Sequence, residues 1–302
     1  MTVWNPISLE TDKALERAGL PPGSTVQLLE QALDEDLGGG VDVTTVATVP
    51  KRQFTSLDLV SRDAGVVAGI APTRAVFDLV MGDEVQIDVV IEDGERVQPG
   101  DRILRVTGPT RALLLAERTS LNVLSHLSGI ATQTDQWVQQ LRGSKAQVRD
   151  TRKTTPGLRS LEKYAVRCGG GRNHRMSLSD AALVKDNHVL AAGGVQQAFA
   201  AVREQFPGIA VEIEVDSLEQ LDQALAAGAD LVLLDNFSPE QLTNAVRMNS
   251  GRARLEASGG LTLESAAVVA GTGVDYIAVG AITHSAPVLD IGADLIEPEE
   301  RI

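Results

Sequence analysis

Cysteine occurs once in this chain, and aromatic residues make up only 3% of it. A single thiol, Cys168, cannot form an intramolecular disulfide or a cysteine-based zinc site, and it suits a reducing, cytoplasmic compartment. With no obvious base beside it, Cys168 reads as a small buried space-filler in preference to a nucleophile. Scarce aromatics leave few stacking platforms for bases, and a net charge of −14 opposes a polyanion, so nucleic acid is not an expected partner. No apolar run approaches the roughly 18 residues of a membrane span, so none is expected. Residues 1–6 lack a basic stretch followed by an apolar one, which argues against a secretory signal. No Gly-x-Gly-x-x-Gly opens a helix after a first strand, which disfavours a dinucleotide fold. What is present is globular composition: 302 residues, 43% hydrophobic and 23% charged, enough for two domains or one barrel with an appendage.

Charge is unevenly placed. Residues 149–175 hold eight Lys or Arg against Asp150 and Glu162, a local excess of +6 in a chain whose total is −14. Clustered cations repel one another and cost stability unless an anion sits between them. The segment therefore reads as a site for a small, multiply charged anion. Arginine grips a carboxylate through two parallel hydrogen bonds. Arg152, His174, Arg175 and Lys185 fall on different loops, so they can converge on an aromatic or aliphatic dicarboxylate. The alternative is a solvated basic face, against which Gly169-Gly170-Gly171 suggests a backbone folded closely around something.

The first third reads as α+β. Ser24-Thr25-Val26-Gln27 has the form of a capping box, opening an amphipathic helix that runs to Leu37 and ends at Gly38-Gly39-Gly40. Short alternating segments follow at 55–61, 65–68, 85–91 and 102–107, separated by Gly- or Pro-containing turns. A helical pattern then runs from 112 to 141, broken near Gly129, with Leu114, Leu121 and Leu124 on one face. Arg118 falls on that stripe. It is either a snorkelling arginine paired with a carboxylate such as Glu117, or one held at a partly buried surface to meet an anionic ligand. Beyond it, apolar runs (146–149, 182–184, 211–215, 231–234, 254–257, 276–279) alternate with helices (158–167, 195–205, 218–227, 239–247, 263–270). Such βα repetition implies a parallel sheet with right-handed crossovers. The expected fold is α/β: an incomplete, six-stranded α/β barrel over 129–288, with an N-terminal α+β sandwich over 1–128 joined by 289–302.

Chemistry in such barrels lies at the C-terminal strand ends. There the chain places Thr151-Arg152-Lys153, Lys185, Glu214, Asp235, Ser258-Gly259-Gly260 and Gly280. Carboxylates at a rim suit Mg²⁺ or sugar hydroxyls. Capping is a poor account of Glu214 but a live alternative for Asp235. Glycines on the last two strands leave backbone N–H groups open at helix starts, the usual phosphate position in barrels. His284, four residues past Gly280, is either structural or a further donor.

Several of these runs, read together, resemble one family. Asp-Thr-Arg-Lys-Thr-Thr-Pro-Gly-Leu-Arg (150–159), Gly-Gly-Gly-Arg-Asn-His-Arg (169–175) and Leu-Val-Lys-Asp-Asn-His (183–188) resemble quinolinate phosphoribosyltransferase, the decarboxylating pyrophosphorylase of NAD biosynthesis. Segments 35–45, 117–132, 256–260 and 279–284 are similar too, in collinear order. The resemblance implies a homodimer, or a hexamer, with Arg118 reaching the neighbouring subunit's site. It implies that Thr151, Arg152, His174, Arg175 and Lys185 hold quinolinate, with Lys153 beside the reacting groups. Glu214 and Asp235 would serve Mg²⁺ and the ribose of phosphoribosyl diphosphate, which Lys153 and Lys185 also meet. Ser258, Gly259, Gly260, Gly280 and His284 would hold its 5′-phosphate.

Two other classes compete with this reading. A transferase of the same fold acting on nicotinate, or serving molybdenum transport, would need fewer carboxylate grips. A non-catalytic dicarboxylate-binding protein would need neither Glu214 nor Asp235.

Overall fold

A computed structural model describes residues 3–296. Met1 and Thr2, part of the stretch read for a secretory signal, and residues 297–302, read as returning to the N-terminal domain, lie outside the described residues. The elements run α1 (Leu9–Arg17), α2 (Pro22–Leu37), α3 (Val43–Thr48), β1 (Phe54–Ser61), β2 (Gly65–Val66), α4 (Ile70–Met81), β3 (Gln86–Val89), β4 (Arg96–Val97), β5 (Arg102–Pro109) and α5 (Thr110–Gln140). They continue with β6 (Gln147–Arg149), α6 (Arg159–Cys168), β7 (Ala182–Val184), α7 (Asp186–Ala192), α8 (Val195–Gln205), β8 (Val211–Val215), α9 (Leu218–Ala226) and β9 (Leu231–Asp235). The last are α10 (Pro239–Asn249), β10 (Arg254–Ser258), α11 (Leu263–Gly271), β11 (Tyr276–Ala278), α12 (Ala281–His284) and β12 (Ile291–Leu295). No helix among the described residues is long and apolar enough to cross a membrane.

The chain forms two compact units. The first comprises the chain up to Gln133, Pro156–Gly170, and the residues from Ala286 on. Its sheet has the order β12-β1-β5-β3, antiparallel throughout. A core of Leu29 and Leu33 from α2, Phe77 and Leu79 from α4, Leu57 and Leu59 from β1, and Leu104 and Val106 from β5 packs it against helices. This is the sandwich of sheet and helix expected, closed by a C-terminal strand. Two local expectations fail, and one helix, α4, escapes the sequence reading. Ser24 does not cap α2: the helix starts at Pro22, whose fixed φ suits the first turn, and the Ser24 hydroxyl donates to the Pro21 carbonyl. The α4 helix is buried on nearly every face, so it carries no polar stripe for a periodicity reading to find. The α5 helix is not broken at Gly129 but runs unbroken over 31 residues.

Gly129 serves close approach. A Cβ there would overlap the Pro287 carbonyl oxygen and lie 2.8 Å from the Val288 Cα. Alanine in mid-helix is worth about 1 kcal/mol over glycine, but overpacking against backbone costs about 1–3 kcal/mol. The clash should win, so Gly129→Ala is expected to lower the urea midpoint. A raised midpoint would show that the 287–288 backbone is not seated against the helix.

The second unit, Thr134–Thr155 and Gly171–Ser285, holds an all-parallel sheet in the order β6-β11-β10-β9-β8-β7. The ladder ends at β6 and β7 and does not close, as expected of an incomplete α/β barrel. The strands alternate in the sense the barrel requires. In β8, Val211, Ile213 and Val215 face one way; Glu212 and Glu214 share the other. Residues 156–170, read as part of the barrel, fall with the first unit.

Candidate active site

All six strands are parallel, so their C-terminal ends share one rim. A cavity of about 770 Å³ opens there. Thr151, Arg152, Lys153, His174, Arg175 and Lys185 line it, as do Glu214, Asp235, Ser258, Gly259, Gly260, Gly280 and His284. Every candidate site residue is thus brought together except Arg118, which is exposed on α5 in the first unit. Arg118 makes no ion pair within the described residues, though its charge tempers the rise that burial gives the Glu117 carboxyl.

The cations are held in different ways. The Nε atoms of Arg152 and Arg175 are buried without a hydrogen-bond partner. Arg175 Nη1 donates to the Ala181 carbonyl at 2.9 Å. Burial, then the neighbouring Arg152 charge, pulls the Arg175 guanidinium below its ordinary value. Lys153 is pinned through its backbone: its N–H donates to Thr151 Oγ1 at 3.0 Å and its carbonyl accepts from Thr283 Oγ1 at 2.8 Å. Its side chain is left exposed. Lys185 Nζ lies 3.2 Å from Glu214 Oε2.

His174, expected among the carboxylate grips, is buried and engaged at both ring nitrogens. Nδ1 accepts the Arg175 backbone N–H at 2.7 Å, and Nε2 lies 2.7 Å from Glu212 Oε2. Beneath the rim, Arg149 pairs with Glu256 and stacks 4.8 Å from the Tyr276 ring centroid. Burial raises both glutamates, and each glutamate lies close enough to Arg149 for the cation to oppose that rise. His174, Glu212 and Glu256 bring ligand atoms within 4.8 Å of one another, a spacing a metal could use. Arg149 pairs with Glu256 and lies 3.9 Å from Glu212, so a cation is already seated at that cluster, which makes it a poor metal site. Sequence reading missed these residues, although a signal existed. Arg149, Glu212 and Glu256 precede the rim residues Thr151, Glu214 and Ser258 by two, so strand periodicity puts them one layer lower on the same face.

Capping does not explain the rim carboxylates. Ser217 caps α9 and Ser238 caps α10, which removes the alternative for Asp235. Nor does the Ser258-Gly259-Gly260 turn open a helix, since α11 starts later with Thr262 as its own cap. The triple glycine 169–171 does not line the cavity either; Gly169 and Gly170 donate back to Ala165 and Arg167 and end α6. The basic segment is itself divided. Arg152, Lys153 and Arg175 reach the cavity, whereas Arg159, Lys163 and Arg167 ride on α6 in the first unit. Cys168 lies there too, half-buried where the sequence predicts burial, its thiol pushed up to about 12 by burial and then by Asp93, which disfavours a nucleophile.

Two family models match: the quinolinate phosphoribosyl transferase N-terminal domain over residues 42–128 and its C-terminal domain over 130–294. The nicotinate-nucleotide pyrophosphorylase (carboxylating) of Mycobacterium leprae is 54% identical over 271 residues, covering 88% of this chain and 95% of that protein. The probable counterpart in Bacillus subtilis is 40% identical, covering 91% and 95%. A solved nicotinate-nucleotide pyrophosphorylase from Francisella tularensis superposes with a TM-score of 0.88 at 38% identity, covering 92% of this chain and 98% of that one. The human nicotinic acid phosphoribosyltransferase structure is alike at 17% identity with a TM-score of 0.61, covering 90% and 75%, a likeness of fold alone. With both domain models matched in order and a 54% identical relative covered almost end to end, the chain belongs to the quinolinate phosphoribosyltransferase family.

Proposed function

We propose that the chain transfers a phosphoribosyl group from phosphoribosyl diphosphate to quinolinate with decarboxylation, giving nicotinate mononucleotide, diphosphate and CO₂. The observation that carries this reading is the convergence on one cavity of two adjacent, repelling guanidiniums, Arg152 and Arg175, with Lys185 on the same lining. Like charges held together cost stability unless anions sit between them. Three such cations suit two carboxylates on one ring better than the single carboxylate of nicotinate. His174 then acts as a strut for Arg175 and Glu212 in place of a direct grip.

In the reaction, the ring-nitrogen lone pair forms the bond to C1′ while diphosphate departs with the electron pair of the breaking C–O bond. The nitrogen becomes positive. Loss of CO₂ from the adjacent carbon leaves an electron pair stabilised by that charge, and the carbon takes up a proton. No general base is needed. The chain's own work is to hold two anions against their repulsion and to neutralise the leaving group, with Lys153 placed for the latter. Ser258, Gly259, Gly260, Gly280 and His284 take the 5′-phosphate.

Glu214 and Asp235, on adjacent strands at the rim, offer the hard-oxygen donors that Mg²⁺ accepts alongside substrate phosphates, and they would hold it. Bound there, Mg²⁺ supplies charge neutralisation at the departing diphosphate. Chelation is expected to stop diphosphate release, and added Mg²⁺ to restore it; undiminished release in chelator would remove the metal from the account.

Arg118, exposed and free of ion pairs within the described residues, is proposed to complete the site of a neighbouring subunit in a homodimer or a hexamer. The lone thiol supports a reducing, cytoplasmic setting. Incubating the protein with quinolinate, phosphoribosyl diphosphate and Mg²⁺ tests the whole reading. CO₂ and diphosphate should appear in equal amounts; diphosphate from nicotinate but not from quinolinate would overturn it.

A further inference from the structure

Asn236 follows the rim carboxylate Asp235 and carries a positive φ of 57°, one of two non-glycine residues with that geometry among the described residues. Its backbone N–H donates to the Ser258 carbonyl on the neighbouring strand at 2.9 Å. Its side-chain Nδ2 donates to Asp235 Oδ2 at 2.7 Å. The other end of the amide lies over Gly259, itself at φ 95°. A Cβ on residue 259 would overlap Asn236 Oδ1 and come within 2.7 Å of its Cγ. The amide can lie where it does only because residue 259 has no side chain.

We propose that Asn236 is a positioning residue: it fixes the Asp235 carboxylate and ties it to the Ser258-Gly259-Gly260 turn, so that carboxylate and turn hold phosphoribosyl diphosphate as one unit. The inference rests on the reading of Asp235 and that turn as contacts to this substrate. The plain alternative is that Asn236 merely fills a left-handed turn, which asparagine tolerates. Glycine fills such a turn at least as well. Asn236→Gly therefore keeps the backbone and removes only the amide, which separates the two explanations.

The test is calorimetric binding of phosphoribosyl diphosphate with Mg²⁺. Phthalate, a dicarboxylate lacking the ring nitrogen, stands in for quinolinate so that no reaction occurs. Asn236→Gly is expected to weaken phosphoribosyl diphosphate roughly tenfold, the scale of one hydrogen bond to a charged group. Phthalate affinity should stay within about twofold, because Arg152, Arg175 and Lys185 are untouched. Asn236→Asp keeps the shape but sets a carboxylate against Asp235, and it should weaken binding further. Asp235→Asn is measured in parallel. If it weakens phosphoribosyl diphosphate while Asn236→Gly does not, the positioning role is wrong and Asn236 is a turn residue. If Asp235→Asn leaves binding intact, the reading of Asp235 fails and takes this inference with it. Equal losses for phosphoribosyl diphosphate and phthalate in Asn236→Gly would mark general damage to the rim and also overturn the proposal.

Discussion

Lys153→Ala should lower turnover on the order of a thousandfold, the scale set by removing one preorganised donor from a developing negative charge, with the fold intact. The backbone of Lys153 is fastened at both ends, to Thr151 and Thr283, by bonds that alanine keeps. Its side chain is exposed within the cavity and makes no ion pair among the described residues, so no folding role is lost with it. Quinolinate affinity should change little, because Arg152, Arg175 and Lys185 remain to meet the carboxylates. Single-turnover kinetics and a urea titration check both halves. Normal turnover would remove Lys153 from the mechanism; a collapsed urea midpoint would make it a structural residue.

The second large effect is complementation. Arg118→Ala and Lys185→Ala should each be nearly inactive alone. If Arg118 serves the neighbouring site, a mixed dimer has one site lacking both residues and one that is whole. Random mixing makes half the dimers mixed, and half of their sites are whole, so about a quarter of full activity should return. The return requires subunits that exchange, which differently tagged chains would verify. No recovery in verified mixed dimers would assign each site to a single chain and leave Arg118 without a catalytic partner.

The rim of the barrel was legible because each parallel strand ends in a residue of distinct chemistry, and β7, β8 and α8 begin and end where the apolar rhythm places them. The floor was not. Arg149, Glu212 and Glu256 sit inside strands, where a charged residue looks like an interruption of the apolar run; only the two-residue period relates them to the rim. Charge density misled in part, because a run of cations along the chain does not stay together when a helix carries Arg159, Lys163 and Arg167 into another unit. Gly129 signalled a break by propensity, but tertiary contact with Pro287 and Val288 explains it instead. Seven-residue α7 is too short to show a stripe.

A crystal structure with quinolinate bound puts the matter to the most direct test. One carboxylate should lie against the guanidiniums of Arg152 and Arg175, and the other within reach of Lys185. Density for quinolinate elsewhere, with those three side chains turned out toward solvent, would contradict the account.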